Sequence, residues 1–312
     1  MKAVILDADT MGSDINWEPI ADAVTTLNIY DRTSPAELLD RVKDIDLVIT
    51  NKVVISAAVM ANLKGIFVLA TGTNNIDLVE ARQRNIPVFN VANYGTQSVA
   101  QHTLMLILAL AARLPLYQRD IAKGAWNLSK NFCLMTHATS ELFGKKLVIV
   151  GQGTLGKAVA KLAEAFGVSV VFTARPGTAE SRRPSFNEAI KTADIISFHC
   201  PLTDDTHHLL NKENIHLLKR DCLVVNCSRG GVIDEIIVLN ALVQKNIAGL
   251  AVDVLPVEPP LNGHPLLDAL DVSCVPLNLI VTPHNAWISP EARQTIVNLT
   301  AVNIHDLVNS HS

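Results

Sequence analysis

Three polar side chains that could carry acid–base chemistry lie in the second half of the chain. Arg229, Glu258 and His284 each follow a short apolar run that is typical of a buried strand. In open α/β sheets ligands bind beyond the carboxyl ends of the strands, so these side chains would point toward one crevice. A planar cation can hold a carboxylate at two points, and an imidazole can give or accept a proton near neutral pH. The chain has 10 histidines, and spacing alone does not single out His284.

A glycine-rich turn precedes these residues. It consists of Gly151, Gln152, Gly153, Thr154, Leu155 and Gly156. The turn follows an apolar strand and opens a helix with one apolar face, which is the context that the G-x-G-x-x-G pattern requires. Glycine permits a tight turn and close backbone approach, while the amides and dipole at a helix N-terminus attract a pyrophosphate. The pattern therefore predicts a dinucleotide site; a glycine turn used only for packing is the alternative.

The elements that must position these residues alternate along the chain. Short apolar runs with the length of buried parallel strands recur five times before residue 92 and six times between residues 146 and 282, with helix-like segments between them. Ser34-Pro35 and Ser289-Pro290 each supply an N-cap and a proline at the first helical position. The alternation predicts an α/β fold with two doubly wound parallel sheets, of which the second has the six strands of a dinucleotide-binding domain.

The chain is predicted to leave its first domain and return to it. A terminal helix beyond the last strand must bury its apolar face, and the first domain offers the surface. We therefore predict a substrate domain from residues 1–98 and 288–312, and a NAD(P)-binding domain from residues 99–287. An apolar helix from about Ser98 to Leu114 opens the second domain, and residues 117–142, which lack periodicity, are predicted to form an arm.

Composition narrows the classes of function. With 49% hydrophobic and 18% charged residues and a net charge of −4, the chain is neither a disordered segment nor a typical nucleic-acid binder. No export signal or membrane span is expected, because residues 103–112 fall short of the roughly 20 apolar residues that cross a bilayer. We expect a cytoplasmic protein.

The cysteines and paired histidines predict no metal site. The cysteines are Cys133, Cys200, Cys222, Cys227 and Cys274. They are odd in number and form no C-x-x-C pair, so they are interpreted as mostly buried thiols in a reducing compartment. His207 and His208 are adjacent but lack further ligands at workable spacing.

Several separated segments resemble the D-isomer-specific 2-hydroxyacid dehydrogenases. These are residues 226–231 (NCSRGG), residues 253–259 with Asp253 and Glu258, and residues 283–287 (PHNAW). Residues 70–77 and 94–103 are similar to the glycerate dehydrogenase, or hydroxypyruvate reductase, branch of that family. The resemblance spans nearly the whole chain. It implies a flavodoxin-like substrate domain, a Rossmann domain, and hydride transfer from NAD(P)H to C2 of a small 2-keto acid.

The resemblance also implies catalytic roles that suit the residue types. Arg229 would bind the substrate carboxylate and polarise the keto oxygen. His284, as imidazolium, would donate a proton to that oxygen while hydride arrives at carbon. Glu258 would orient the imidazole ring and favour its charged form.

Substrate and cofactor contacts follow by the same resemblance. The backbone of Thr71, Gly72 and Thr73 would hold the carboxylate from the first domain, with the substrate lying between the domains. Lys52 follows a predicted strand and either touches substrate or is a solvated lysine. Other residues that match the cofactor site are Cys200, Pro201, Thr206, Cys227, Ser228, Asp253 and His284. Asp253 would hold the nicotinamide carboxamide.

The residue after the second strand of the Rossmann domain departs from the NAD-specific pattern. NAD-specific dehydrogenases carry an acidic residue at this position, and its carboxylate binds the ribose 2'-hydroxyl. This chain has Ala174 at the position, followed by Arg175. Arg175 could attract a 2'-phosphate, with Arg182 or Arg183 from the same loop. The sequence therefore favours NADP(H). The alternative is an arginine that stacks on adenine and leaves NAD usable.

Rival functions remain open at this stage. Phosphoglycerate dehydrogenases need cations for the substrate phosphate, and residues 70–77 offer none. We also expect no regulatory domain after the last predicted helix. Formate dehydrogenases lack a glutamate partner for the histidine, which argues against that chemistry here. A dinucleotide-sensing corepressor is the rival from another class.

The resemblance further implies a homodimer formed through the arm. His102, in the apolar helix, is predicted to be a core histidine.

Overall fold

The chain divides into two compact units. The computed structural model describes residues 1–177, 182–271 and 275–310. The first unit runs from Met1 to Gly95 and resumes at Trp287, and the second runs from Thr96 to Ala286. The strands are β1 (Lys2–Ile5), β2 (Thr26–Ile29), β3 (Leu47–Thr50), β4 (Gly65–Val68), β5 (Val88–Asn90), β6 (Lys146–Val150), β7 (Ser169–Phe172), β8 (Ile195–Phe198), β9 (Leu223–Asn226), β10 (Gly249–Val252) and β11 (Leu279–Val281). The α-helices are α1 (Glu18–Asp22), α2 (Pro35–Val42), α3 (Leu78–Gln83), α4 (Thr96–Ala111), α5 (Leu114–Ala122), α6 (Thr154–Glu164), α7 (Phe186–Ile190), α8 (Glu235–Val243), α9 (Pro265–Asp268) and α10 (Pro290–Ser310).

The first unit is built on a five-stranded parallel sheet in the order β2-β1-β3-β4-β5. This is the flavodoxin-like order, with a switch point between β1 and β3. The inner strands β3 and β4 are wholly buried, which explains their continuous apolar sequences. Helix α10 returns to pack on β4, where a Cβ on Gly65 would lie 2.7 Å from Leu307. Glycine at this position therefore permits the close approach of the terminal helix.

The second unit holds a six-stranded parallel sheet in the order β11-β10-β9-β8-β6-β7. Alternate residues of β6 face opposite layers: Leu147 and Ile149 pack with α4 and α6, while Val148 and Val150 pack with α7 and α8. Strand β7 is added on one side of β6, and β8 and the later strands on the other. The glycine-rich turn after β6 therefore lies at a topological switch point, where such sheets bind ligands. The predicted fold of two doubly wound parallel sheets is confirmed.

The segment after α4 differs from the prediction. The helix expected to reach Leu114 ends at Ala111, and Arg113 adopts φ of 55° before α5 begins with a proline at its second position. Residues 117–122 of the predicted arm are thus helical. None of the residues of α5 is buried, so the sequence carries no buried-face periodicity there. No single helix among the described residues is long and apolar enough to cross a membrane; α4 and α5 pass only jointly, by length and composition, and are bent by 61°.

Candidate active site and cofactor site

Three adjacent strands place Arg229, Glu258 and His284 at one edge of the second sheet. Strands β9, β10 and β11 are neighbours, and Val252 pairs with Asn226 on one side and Val281 on the other. The carboxyl ends of the three strands therefore lie side by side at one edge of the sheet. Arg229 follows β9, Glu258 follows β10 and His284 follows β11, so the topology gathers a cation, a carboxylate and an imidazole from distant parts of the sequence.

His284 and Glu258 form a direct pair. His284 Nδ1 lies 2.6 Å from Glu258 Oε2, and the other carboxylate oxygen accepts a hydrogen bond of 2.8 Å from the Leu255 backbone N–H. Both side chains are about one-third exposed, at 36% and 34%. With Nδ1 bound to the carboxylate, the Nε2 atom is the nitrogen that can exchange a proton with a ligand.

The loop that carries His284 is shaped by a buried carboxylate. Asp253 is 2% exposed, and its oxygens accept hydrogen bonds from the backbone N–H groups of Asn285 (3.0 Å) and Ala286 (3.1 Å). It also accepts a 2.5 Å hydrogen bond from the Thr282 hydroxyl. His284 has φ of 52°, a left-handed conformation that costs a non-glycine residue free energy. The contacts with Asp253 hold the loop in this shape.

Helix α4 also forms hydrogen bonds with the loop that carries His284. The Ser98 hydroxyl donates a 2.6 Å hydrogen bond to the Ala286 carbonyl, and His102 Nε2 lies 3.1 Å from the Thr282 hydroxyl oxygen. Burial lowers the pKa of His102, and the nearby Asp253 carboxylate opposes that shift. His102 is a hydrogen-bonded core histidine, in agreement with the prediction. Sequence reasoning missed that His102 and Ser98 position the loop that carries His284.

The Arg229 loop is organised by a second residue that sequence reasoning left without a role. Asn226 is fully buried; its Oδ1 accepts hydrogen bonds from the Ser228 N–H (3.0 Å) and hydroxyl (2.8 Å), and its Nδ2 donates to the Arg229 carbonyl (2.9 Å). A Cβ on Gly230 would lie 2.0 Å from the carbonyl carbon of Leu255. Only glycine allows this close approach, which packs the Arg229 loop against the loop that leads to Glu258.

The glycine-rich turn provides a cradle for a phosphate group. Gly151 has φ of 108°, and a Cβ there would lie 2.4 Å from the His199 carbonyl oxygen. A Cβ on Gly156 would lie 2.0 Å from the Gly151 carbonyl oxygen. Gly153 caps α6, and a Cβ there would meet no atom within 4 Å. The N–H groups of Thr154 and Leu155 belong to the first turn of α6, where an α-helix offers no intrahelical acceptor. These features fit a dinucleotide pyrophosphate.

The loop after β8 lies beside this turn and is internally braced. Thr206 is 4% exposed; its hydroxyl donates to the Pro201 carbonyl (2.7 Å) and accepts from the Thr203 N–H (2.7 Å). Burial raises the pKa of the Cys200 thiol to about 11. The pKa of Cys227 rises to about 12 for the same reason. Both thiols are therefore protonated near neutral pH and are poor nucleophiles.

The remaining cysteines and metal candidates lie apart from this chemistry. Cys222 is buried, as predicted, and burial raises the pKa of its thiol; Cys133 is half-buried, and Cys274 lies outside the described residues. Among residues 1–177, 182–271 and 275–310, no group of three metal-ligating side chains could hold an ion. His207 and His208 stack on each other, with ring centroids 3.9 Å apart.

The predicted substrate contacts of the first unit follow β3 and β4. Lys52 comes two residues after β3, is exposed, and lines a cavity of about 750 Å³ at the carboxyl ends of β1–β3. Thr71, Gly72 and Thr73 come shortly after β4. In the described part of the chain, no protein group accepts a hydrogen bond from the backbone N–H of Gly72 or Thr73. We refer to these two N–H groups below as the donor pair.

Comparison with known proteins settles the family. Residues 104–286 match the family described as D-isomer specific 2-hydroxyacid dehydrogenase, NAD binding domain. The chain belongs to this family. It is 32% identical to a hydroxypyruvate reductase of Blautia hydrogenotrophica, over 99% of this chain and 97% of the relative. It is 36% identical to a glycerate dehydrogenase of Methylorubrum extorquens, over 89% and 88% of the two chains.

A solved structure agrees in fold. D-2-hydroxyisocaproate dehydrogenase, at 22% identity, matches with a TM-score of 0.84 over 100% of this chain and 98% of that one. The predicted family and its dehydrogenase activity on 2-hydroxy acids are thus confirmed, and the second unit contains a nicotinamide dinucleotide-binding domain.

Proposed function

We propose that this protein is a hydroxypyruvate reductase, or glycerate dehydrogenase, that interconverts hydroxypyruvate and D-glycerate. The observation that carries the proposal is the 2.6 Å pair of His284 and Glu258 beside the Arg229 loop. An imidazole held by a carboxylate can serve as acid in one direction and base in the other. Relatives named hydroxypyruvate reductase and glycerate dehydrogenase, which match this chain over 97% and 88% of their own length, support the choice of substrate.

The proposed mechanism divides three tasks among three side chains. The Arg229 guanidinium binds the substrate carboxylate and draws electron density toward the C2 oxygen. The nicotinamide, when bound, supplies hydride to C2. His284 Nε2 donates its proton to the C2 oxygen, so the keto group becomes an alcohol, and oxidation reverses both transfers. Glu258 stabilises the imidazolium through Nδ1.

The proposed substrate contacts of the first unit rest on the donor pair described above. The backbone N–H groups of Gly72 and Thr73, with Thr71 beside them, would bind the substrate carboxylate. Lys52 would add a cation at the neighbouring strand end. Asp253, besides shaping the His284 loop, would accept a hydrogen bond from the nicotinamide carboxamide, the role that the resemblance to the family implies.

A panel of keto acids tests the proposed reaction. We expect the protein to reduce hydroxypyruvate and glyoxylate with higher kcat/KM than pyruvate or a branched keto acid. The measurement is the loss of nicotinamide absorbance under steady-state conditions with each acid. A preference for the branched acid would reject the proposed substrate.

We further propose that the enzyme prefers NADP(H). The Ala174 N–H donates to the Pro184 carbonyl at 2.8 Å, so the segment with Arg175 runs beside the segment with Arg183. Arg183 Nη1 in turn donates to Gln152 Oε1, in the glycine-rich turn, at 2.9 Å. This arrangement places two arginine-bearing segments near the turn where the dinucleotide would bind, and two guanidinium groups suit a 2'-phosphate.

The ratio of kcat/KM for NADPH to that for NADH tests this preference. We expect a ratio above one in the wild type and a drop of about 10-fold in Arg175→Ala, the size of one lost charge-assisted hydrogen bond. Arg220→Lys, at an exposed arginine distant in sequence, serves as a control and should leave the ratio unchanged. A wild-type preference for NADH, or an unchanged ratio in Arg175→Ala, would contradict the role of Arg175.

Homodimer formation through the arm is also part of the proposal. Leu128, Phe132 and Met135 are 84%, 91% and 88% exposed, yet hydrogen bonds such as Trp126 Nε1 to the Phe132 carbonyl (3.0 Å) order the segment that carries them. An ordered apolar patch of this kind suits a protein interface. Light scattering should give about twice the 33.8 kDa chain mass.

We also propose a cytoplasmic location. The buried thiols fit this proposal, because free thiols persist in a reducing compartment.

A further inference from the structure

A buried carboxylate in the first unit fixes the backbone that follows β3. Asp7, just after β1, is 4% exposed. Its carboxylate accepts hydrogen bonds from three consecutive backbone N–H groups, those of Asn51 (2.8 Å), Lys52 (2.6 Å) and Val53 (3.1 Å). The Thr50 hydroxyl adds a fourth at 3.2 Å. Burying a carboxylate costs free energy unless such donors compensate for its lost hydration. The four donors around Asp7 therefore require a side chain with two acceptor oxygens at this position.

Residues 51–53 are joined in turn to the segment that follows the donor pair of β4. Asn75 Nδ2 donates to the Val53 carbonyl at 3.0 Å, and the Ile55 N–H donates to the Asn75 carbonyl at 2.8 Å. The Asp77 N–H then donates to the Ile55 carbonyl at 3.0 Å. A short parallel bridge between Ile55 and Ile76 completes the connection. Asn75 thus links the two strand-end loops through both its side chain and its backbone.

The loop of residues 71–77 is held at both ends. At its far end, the Ile76 N–H donates to the Thr73 carbonyl at 3.0 Å. At its near end, Asn90 Nδ2 donates to the Thr71 carbonyl at 2.6 Å. Gly72 lies between these anchors, and the amides of Gly72 and Thr73 remain the donor pair. The residues that follow Thr73 are held by the hydrogen bonds that Asn75 makes with Val53 and Ile55.

We propose that Asp7 and Asn75 are positioning residues for the substrate carboxylate. The carboxylate of Asp7 fixes the backbone conformation of residues 51–53. Asn75 joins residues 51–55 to residues 71–77 by hydrogen bonds, and so it fixes the orientation of the N–H groups of Gly72 and Thr73. Neither side chain touches the substrate in this account. The inference rests on the proposed function, because it assumes that this donor pair binds a 2-keto acid.

The test compares two conservative variants with a matched control. Asp7→Asn replaces one acceptor oxygen with an amide donor that opposes the Lys52 and Val53 N–H groups. Asn75→Asp removes the donor to the Val53 carbonyl at almost constant volume. The control, Asp46→Asn, alters a carboxylate before β3 that accepts from the Lys2 N–H (2.8 Å) and pairs with Lys64 (2.8 Å). It probes general destabilisation of the same unit.

We expect Asp7→Asn and Asn75→Asp to raise KM for the keto acid about 10-fold, with kcat changed less and the Kd for the dinucleotide unchanged. Asp46→Asn should leave all three values unchanged. An unchanged KM in the two positioning variants, or an equal rise in the control, would overturn the proposal.

Hydrogen exchange separates this inference from the proposed function. In Asp7→Asn, amide protection should fall at residues 51–53 and also at Ile55 and Asp77, which lie beyond Asn75. Faster exchange confined to residues 51–53 would overturn the coupling even if the enzyme reduces hydroxypyruvate. If the wild type reduces no keto acid, the proposed function fails, and the exchange result still decides whether Asp7 controls the loop.

Discussion

Arg229→Lys should lower kcat/KM for the 2-keto acid by about 100-fold. The guanidinium can bind a carboxylate through two parallel N–H groups and still reach the keto oxygen, whereas an ammonium is a point charge. Loss of one charge-assisted hydrogen bond costs about 1.5 to 3 kcal/mol, and each 1.4 kcal/mol is about a factor of ten. The measurement is steady-state reduction of hydroxypyruvate at saturating dinucleotide.

The backbone around Arg229 supports a local interpretation of that result. Asn226 and Gly230 hold the loop through backbone and buried contacts, and Arg229 itself is exposed, so the lysine variant should fold and keep its Kd for the dinucleotide. Arg220→Lys, at an exposed position six residues before the loop, is the matched control and should retain full activity. Near-normal turnover in Arg229→Lys would exclude the proposed role of the guanidinium.

Much of the fold could be predicted because its signals are local. Buried strands such as β3 and β9 are continuous apolar runs, and the N-cap and proline at Ser34 and Pro35 start α2 where expected. The glycine-rich turn is also a local pattern, since the conformation of Gly151 and the close approach at Gly156 both depend on residues within one strand–turn–helix unit.

The supports of the site could not be predicted, because they join residues far apart in sequence. His102 and Thr282 are separated by 180 positions, and Asp7 is 44 positions from Asn51. Nothing in the local pattern distinguishes a histidine that braces a loop from one that only fills a core. Helix α5 escaped prediction for a different reason, since it buries no residue and so leaves no apolar periodicity.

Glu258→Gln should change the pH dependence of catalysis as well as its rate. Glutamine keeps the shape of the side chain but loses the negative charge that lies 2.6 Å from His284 Nδ1. Without that charge the neutral imidazole becomes more favourable. Reduction needs the imidazolium and oxidation needs the neutral ring, so the fall of reduction at high pH and the rise of oxidation should both move to lower pH.

The rate effect should be larger for reduction than for oxidation. At neutral pH we expect reduction of hydroxypyruvate to fall by about 10- to 100-fold, since fewer molecules carry the proton and the ring loses its strongest orienting contact. Asp120→Asn is the matched control, because Asp120 pairs with His137 at 2.9 Å in the arm, outside the proposed chemistry. Its pH profile should match the wild type. A profile for Glu258→Gln that keeps the wild-type midpoints in both directions would mean that Glu258 does not set the charge of His284, and a loss of rate alone would then reduce its role to holding the ring.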